Sequence, residues 1–402
     1  HTNLLEAWEK GIDMTDRHGP NVEIWSFDLQ KAFDLLDHGK SLKLCHMAGV
    51  KGNVGRCLQS WLTNRRQFVQ CGKERSRDRI VNRSCIQGSV LGPTLWIIYI
   101  QSLLDRLENR CNYYAYADDV TLIAKIGSEE DIADFNEILE TLLSWGKEFS
   151  MKWGAHKTQR MAMRYHKCGG EDPPTMTFDG KNIEVAETME SLGVILCKGG
   201  IGYGHLTKIK NRIAATRTLI WKNYRIRTQK ILEKLYMTYI VPQINYCSQQ
   251  YNTNNESHLR EIETELKKFW KMSQTKMRPS YCLGLKEQLI YNDLKQLHKI
   301  KNGKSAIDFD DFFKISEVQK RTEQHIAKKG FIHSFAKHTF GRRVQKYWNL
   351  LPLETRELGR EGFKEEVKLI MTDKKYEQLK NKMLNFGRGQ PIELPPGGIN
   401  QK

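Results

Sequence analysis

The chain has 402 residues, of which 39% are hydrophobic, 10% aromatic and 28% charged, and its formal net charge is +17. These values are typical of globular proteins and exclude a collagen-like, fibrous or globally disordered chain. The longest apolar run, Val90 to Ile100, has eleven residues, whereas a helix that crosses a membrane needs about 20.

The positive charge lies in the second half of the chain. Residues 1–200 hold 25 Lys and Arg against 27 Asp and Glu, whereas residues 201–402 hold 39 against 20. This asymmetry predicts a catalytic or packing module followed by a module that binds a polyanion such as a nucleic acid. A soluble basic protein without a specific partner is the alternative. One basic island interrupts the first half, because residues 51–83 carry nine Lys and Arg against two acids.

The cysteines indicate the redox compartment of the chain, and its first residues indicate whether it carries a secretory signal. Nine cysteines are scattered without a C-x-x-C pair, which favours a reducing compartment over a disulfide framework or a zinc site. The sequence begins with His1, and its first ten residues include charges where a secretory signal is apolar. We therefore expect a piece of a longer protein.

Strand and helix patterns alternate through the first 125 residues. We predict a strand over 21–29, a helix over 35–48 ending at Gly49, and a helix over 54–62 with Asn53 as its N-cap. A hairpin of 68–71 and 80–85 follows around the charged tip 73–78. A helix then runs from Gly92-Pro93 to Leu107, and strands 113–116 and 120–125 flank an acidic turn.

One helix and three strands are predicted between residues 128 and 196. Ser128 begins the helix, and the strands lie near 161–163, 183–185 and 191–196, with turns at 173–174 and 179–180. Helical patterns dominate after residue 200. The glycines at 199, 200, 202 and 204 mark a domain boundary. Helices follow at about 206–223, 228–241 and 255–273, and then a mixed basic region. The first 200 residues thus predict a sheet with helices on one face.

Three carboxylates are candidates for a metal site. Asp118 and Asp119 lie in the predicted turn, and Asp28 ends a strand ninety residues earlier. Clustered carboxylates repel each other unless a cation lies among them. Oxygen donors favour Mg²⁺, or Mn²⁺ in its place, and two such ions support phosphoryl transfer. The alternative for an isolated Asp-Asp pair is a solvated turn.

Several motifs stand in an order that resembles one family. FDLQKAFD at 27–34, QGSVLGP at 87–93 and YADD at 116–119 are similar to motifs A, B and C of reverse transcriptases. Residues 3–5, 65–67 and 192–194 fit as well, and YWNLLP at 347–352 resembles the segment that closes many non-LTR retrotransposon proteins. The set resembles a LINE-type, jockey-like reverse transcriptase. Cys85-Ile86 stands where these elements usually have Val-Pro.

The resemblance implies a metal-dependent active site. Two Mg²⁺ ions, replaceable by Mn²⁺, would be held by Asp28, the main-chain carbonyl of Leu29, Asp118 and Asp119. Lys157 matches the lysine of motif D, which protonates the departing pyrophosphate in the family. The alternative for Lys157 is a solvated surface lysine.

The resemblance also implies contacts to the nucleotide and the primer. Phe33 would be the aromatic gate that rejects a ribose 2′-hydroxyl, with core packing as its alternative. Gln87 and Gly88 would contact the nucleotide and the template, with an ordinary loop before a helix as the alternative. Leu192, Gly193 and Val194 would form the primer grip.

The implied fold is α+β, a right-hand polymerase with an antiparallel palm sheet of the RRM or ferredoxin-like type, partial fingers and a helical thumb. We expect fingers and palm in 1–200, the thumb in 201–275 and a basic C-terminal region in 276–402. The implied activity is RNA-directed DNA synthesis with RNA template, DNA primer and dNTPs as partners, no membrane, and a nuclear location. The family's triphosphate-gripping finger strands would precede this sequence, so we expect the isolated chain to be a weak or inactive polymerase.

Two alternative functions remain at this point. An RNA-templated RNA polymerase usually carries Gly-Asp-Asp and lacks an aromatic gate, so Ala117 and Phe33 argue against it. A degenerate or domesticated nucleic-acid-binding protein without catalysis is the other alternative. The three acidic residues argue against extensive decay.

Overall fold

A computed structural model describes residues 2–19, 21–163, 174–198, 203–252, 256–273, 275–317, 324–328 and 339–385. Four of the sequence features lie partly outside these ranges: the first predicted turn at Pro173, the boundary glycines Gly199, Gly200 and Gly202, the first residue of the helix predicted at about 255–273, and parts of the basic C-terminal region. No described helix is long and apolar enough to cross a membrane.

The secondary structure alternates helices and short strands. The helices are α1 (Thr2–His18), α2 (Ala32–Leu35), α3 (His38–Met47), α4 (Gly52–Leu62), α5 (Leu91–Leu107), α6 (Glu129–Phe149), α7 (Tyr203–Asn223), α8 (Gln229–Leu235), α9 (Val241–Asn245), α10 (Ser248–Tyr251), α11 (Glu256–Trp270), α12 (Leu285–Lys301), α13 (Phe309–Phe312), α14 (Phe340–Leu350), α15 (Leu353–Glu357), α16 (Arg360–Thr372) and α17 (Glu377–Asn385). The strands are β1 (Val22–Gln30), β2 (Arg65–Gln67), β3 (Gln70–Cys71), β4 (Glu74–Arg75), β5 (Arg79–Val81), β6 (Asn112–Tyr116), β7 (Asp119–Lys125), β8 (Lys152–Trp153), β9 (Gln159–Ala162), β10 (Met176–Phe178), β11 (Lys181–Ile183), β12 (Thr188–Ser191), β13 (Val194–Cys197), β14 (Phe313–Glu317) and β15 (Gln324–Lys328).

The chain divides into two compact units. The sheet unit comprises Asn21–Ala162 and Gly170–Ala186, and the helical unit comprises His1–Pro20, Met163–Gly169 and Glu187–Lys402. The expected boundaries after residues 200 and 275 stay predictions.

The sheet unit is built on an antiparallel sheet with the strand order β6-β7-β1-β8, and β9 also pairs with β1. Side chains alternate along β1, so Trp25, Phe27 and Leu29 enter one core together with residues of α5 and α6. Burial of this face stabilises the strand, because each large apolar side chain contributes about 1.5–3 kcal/mol. The predicted α+β class, with strands near 21–29, 113–116 and 120–125, is confirmed.

Three local predictions were wrong. The helix predicted over 35–48 begins at His38, because the Asp37 side chain accepts a hydrogen bond from Lys40 N and caps it. Asn53 is not the N-cap of α4, since the main-chain oxygen of Lys51 already accepts a bond from Gly55 N at 3.2 Å. The hairpin predicted from 68–71 and 80–85 instead consists of two shorter strand pairs, one inside the other.

The nested hairpin has two short ladders. β2 pairs with β5, and β3 pairs with β4. Gly72 has φ +60°, a left-handed conformation that favours glycine, and the turn between β3 and β4 therefore forms at Gly72 and Lys73. The first part of the predicted charged tip, residues 74–75, is strand.

The helical unit has its own apolar core, formed largely by α12, α14 and α16. The YWNLLP segment lies in α14 and just after it. Tyr347 and Trp348 are buried, and the Asn349 amide donates to Ile326 O and accepts from Ile326 N, both at 3.0 Å. Asn349 thus holds β15 against α14.

Candidate active site

The pairing of β1 with β7 brings the distant carboxylates together. Asp28 lies directly opposite Asp119 in the antiparallel register, and such partners have Cβ atoms about 4.5–5.5 Å apart. Asp118 lies in the two-residue turn between β6 and β7, since Tyr116 pairs with Asp119. Asp28, Asp118 and Asp119 thus lie next to one another, and their convergence on a shared pair of cations stays a prediction.

Trp96 holds this turn and was not singled out in the sequence. Ala117, the first turn residue, has φ +53°, which is uncommon for a residue other than glycine. The buried Trp96 of α5 donates its indole N–H to Ala117 O at 2.6 Å. Its position three residues after Pro93, in the helix of the QGSVLGP motif, was the available signal.

The cluster of three carboxylates and Lys157 carries a net negative charge. Burial, followed by the charges of Asp118 and Asp28, raises the pKa of Asp119 above its ordinary value, and Lys157 opposes this shift. Lys157 Nζ lies 3.0 Å from Asp28 Oδ2, in an ion pair that is partly open to solvent. A divalent cation would offset the same negative charge.

A tight turn delivers Lys157 to this position. Gly154 N donates to Asp28 O at 2.8 Å, and Lys157 N donates to Gly154 O at 2.7 Å. A Cβ at position 154 would lie 3.2 Å from both the main-chain oxygen and a carboxylate oxygen of Asp28. Glycine therefore favours the close approach of this turn to β1, because a Cβ would make tight contacts with Asp28.

The donor chemistry fits a hard cation, although the described residues hold no group of three or more His, Cys, Asp and Glu side chains arranged as a metal site. Carboxylate oxygens are the donors that Mg²⁺ prefers, and Asp28, Asp118 and Asp119 are neighbours. The Lys157 ammonium is the counter-charge of Asp28 in this arrangement. Leu29 is buried and pairs with Trp153 of β8. The metal ligation of these residues stays a prediction.

The predicted nucleotide-contacting residues are also neighbours. Phe33 is half-buried and packs on Trp96 with ring centroids 5.6 Å apart, so core packing accounts for part of its surface. Gln87 Nε2 donates to Asp34 Oδ1 at 3.2 Å. Gly88 has φ +80°, so a side chain there would strain the loop. The two motifs therefore meet beside α5.

The predicted primer grip belongs to the helical unit. Leu192 and Gly193 form the turn between β12 and β13, with φ +48° and +77°. Lys208 Nζ donates to Gly193 O at 3.2 Å, and the Tyr246 hydroxyl donates to Leu192 O. Two side chains from outside the hairpin thus hold both carbonyl groups of the turn.

His205 forms a hydrogen bond with the same hairpin at Ile195, the residue after the buried Val194. Ile195 N donates to His205 Nδ1 at 3.3 Å. Burial, together with the charges of Lys208 and Arg212, lowers the pKa of His205 to about 4. The ring is therefore neutral at pH 7, and Nδ1 is free to accept this bond.

Comparisons with known proteins show which sequences this chain resembles. Residues 3–196 match the family model described as reverse transcriptase (RNA-dependent DNA polymerase). A 115 kDa protein of the type-1 retrotransposable element R1DM of Drosophila melanogaster is 30% identical over 190 residues, which are 46% of this chain and 18% of that protein. The RNA-directed DNA polymerase from the mobile element jockey of Drosophila funebris is 24% identical over 254 residues, covering 58% and 26%.

Solved structures include the apo telomerase from Candida tropicalis, with a TM-score of 0.42 and 9% identity over 95% of this chain and 56% of that chain. The chain spans about a quarter or less of the curated relatives named above. The family match covers motifs A, B and C in one sheet unit. Residues 3–196 therefore match the reverse transcriptase family, and the chain has relatives in the R1 and jockey non-LTR retrotransposons.

Proposed function

We propose that this chain is the polymerase part of a non-LTR retrotransposon reverse transcriptase. It adds dNTPs to the 3′-hydroxyl of a DNA primer on an RNA template, uses Mg²⁺ or Mn²⁺, and acts in the nucleus. The observation that carries the proposal is the pairing of Asp28 with Asp119 beside the Asp118 turn, within the segment that matches the family model.

The reaction joins the primer to the nucleotide. The primer 3′-oxygen attacks the α-phosphorus and loses its proton, a new P–O bond forms, and the bond to pyrophosphate breaks. Bound divalent cations would supply Lewis-acid stabilisation of the attacking and leaving oxygens. Asp28, Leu29 O, Asp118 and Asp119 would hold these cations. The Lys157 ammonium, now 3.0 Å from Asp28 Oδ2, would donate a proton to the leaving pyrophosphate.

Primer extension tests the proposal directly. The chain is incubated with an RNA template, an annealed DNA primer, dNTPs and Mg²⁺, and the primer length is followed on a gel. We expect weak extension that needs both the divalent cation and the RNA strand. RNA binding without extension at any protein concentration would instead support the nucleic-acid-binding protein without catalysis.

Phe33→Ala should admit ribonucleotides. The ring of Phe33 packs beside Trp96 and is half exposed, so its removal opens space where a 2′-hydroxyl would lie. We expect the ratio of kcat/KM for rCTP to that for dCTP to rise on the order of 10²-fold, the discrimination typical of one hydroxyl against an apolar surface. The dCTP reaction of the same variant is the control for folding. An unchanged ratio would remove the gate role.

Lys208→Met should weaken primer engagement. The substitution removes the bond to Gly193 O and the largely exposed ion pair with Glu190. One hydrogen bond of about 1 kcal/mol corresponds to roughly a fivefold change in an equilibrium constant. We expect the KM for primer–template to rise about that much, with the KM for dNTP unchanged. Lys210→Met is the matched control, since Lys210 lies on the same helix and pairs with Glu261 at 2.7 Å. Equal effects of both variants would show a general loss of charge or stability.

A further inference from the structure

The basic island of the sequence forms an exposed hairpin, which we define as residues 65–83 and call the basic hairpin. Its charge contrasts with the rest of the sheet unit. Residues 65–83 hold seven Lys and Arg against two acids, whereas the remainder of residues 21–162 holds twelve against fifteen. The positive charge of this unit is therefore concentrated on one projection.

The charges of the basic hairpin are available for a ligand. Every residue from 66 to 80 is exposed. Arg75 pairs with Asp78 at 2.7 Å, whereas Arg66, Lys73, Arg77 and Arg79 form no ion pair within the described part of the chain. Like charges held close together repel each other, and a polyanion would remove this repulsion.

The basic hairpin also presents apolar surface between its charges. Val69 and Ile80 are 73% and 69% exposed, and Arg75 stacks over the ring of the exposed Phe68, with 3.7 Å from its guanidinium carbon to the ring centroid. Exposed aromatic and basic side chains together are typical of surfaces that bind single-stranded nucleic acids.

The base of the basic hairpin joins the predicted nucleotide-contacting residues. Ser84 N donates to Leu36 O, and Cys85 N donates to Phe33 O, both at 2.8 Å. Gln87 follows two residues later and bonds Asp34. A nucleic-acid strand with one nucleobase at Gln87 and Gly88 would continue past the basic hairpin.

We propose that the basic hairpin binds the phosphate backbone of the RNA template strand next to Gln87 and Gly88. This assignment of the strand rests on the proposed function. Arg is suited to the role, because its guanidinium group binds phosphate through two parallel hydrogen bonds. The contacts are to the backbone, so they contribute affinity without sequence specificity.

The test is RNA binding at a series of salt concentrations. The variant Arg66→Gln/Arg77→Gln/Arg79→Gln is compared with wild type by fluorescence anisotropy on a labelled 20-nucleotide RNA, without dNTPs or divalent cations. Each phosphate contact to a single strand contributes about 0.7 to the slope of log K against log salt. We therefore expect the slope to fall by about 2 and binding to weaken at low salt.

The matched control is Arg106→Gln/Arg110→Gln/Lys147→Gln, which removes the same charge from α5, the residues after it and α6 of the same unit. We expect its slope to equal that of wild type. A wild-type slope in the hairpin variant, or an equal decrease in both variants, would overturn the proposal. So would a decrease seen with single-stranded DNA of the same sequence but not with RNA. Since this assay needs no catalysis, a slope change without primer extension would retain the hairpin site and reject the polymerase.

Discussion

Asp118→Asn should reduce nucleotide incorporation by about 10³-fold or more, since loss of several kcal/mol of transition-state stabilisation has an effect of that order. The amide keeps the size of the side chain but removes its charge and replaces one acceptor oxygen by a donor. Asp118 lies in the β6–β7 turn next to Asp119, where it adds to the negative charge that raises the pKa of Asp119. Single-turnover incorporation of one dNTP is the measurement.

A second readout separates cation binding from a folding defect. Mn²⁺ should raise the Tm of wild type, because a ligand that binds only the folded state stabilises it, and this increase should be smaller in Asp118→Asn. Asp179→Asn is the matched control. Asp179 also lies in a two-residue hairpin turn of the sheet unit and has φ +50°, a conformation that Asn tolerates. Full incorporation by Asp118→Asn would refute the site assignment.

Arg343→Met should destabilise the helical unit by about 3–5 kcal/mol, the usual cost of leaving one member of a buried ion pair alone. The side chains of Arg343 and Asp293 are 2% and 0% exposed, with Nε 2.7 Å from Oδ2. Arg343 Nη2 also donates to Gln249 O at 3.0 Å, and Asn252 Nδ2 donates to Asp293 Oδ2 at 2.7 Å. Urea unfolding measures the change in free energy.

Two further variants test whether the loss of stability comes from an unpaired buried charge. Lys364→Met removes the pair with Glu361, whose carboxylate is 76% exposed, and should cost less than about 1 kcal/mol. The double variant Arg343→Met/Asp293→Leu removes both charges and should recover much of the lost stability, because no unpaired buried charge remains. A cost below 1 kcal/mol for Arg343→Met alone would show that water reaches Asp293.

Local patterns in the sequence predicted many of the helices and strands between residues 21 and 273, but not α1 or the elements of the C-terminal region. Ser128 begins α6 as expected, and its side chain and that of Asp131 form a reciprocal capping box. The Asp179–Gly180 turn and the helix ending at Leu107 are also confirmed. The register of the hairpin at residues 65–81 was less predictable. Almost all of its side chains are exposed, whichever residues are taken as paired. No buried face therefore distinguishes one register from another.

The sequence by itself determined the resemblance to reverse transcriptases, through the order of motifs A, B and C, and it identified Asp28, Asp118 and Asp119 as candidates. Only the tertiary structure decided that β1 pairs with β7 in a register that opposes Asp28 to Asp119, that Trp96 holds Ala117, and that Arg343 meets Asp293. These contacts join residues that are 91, 21 and 50 positions apart. Periodicity and capping depend on neighbours within a few residues, whereas strand register and buried ion pairs depend on how distant segments pack.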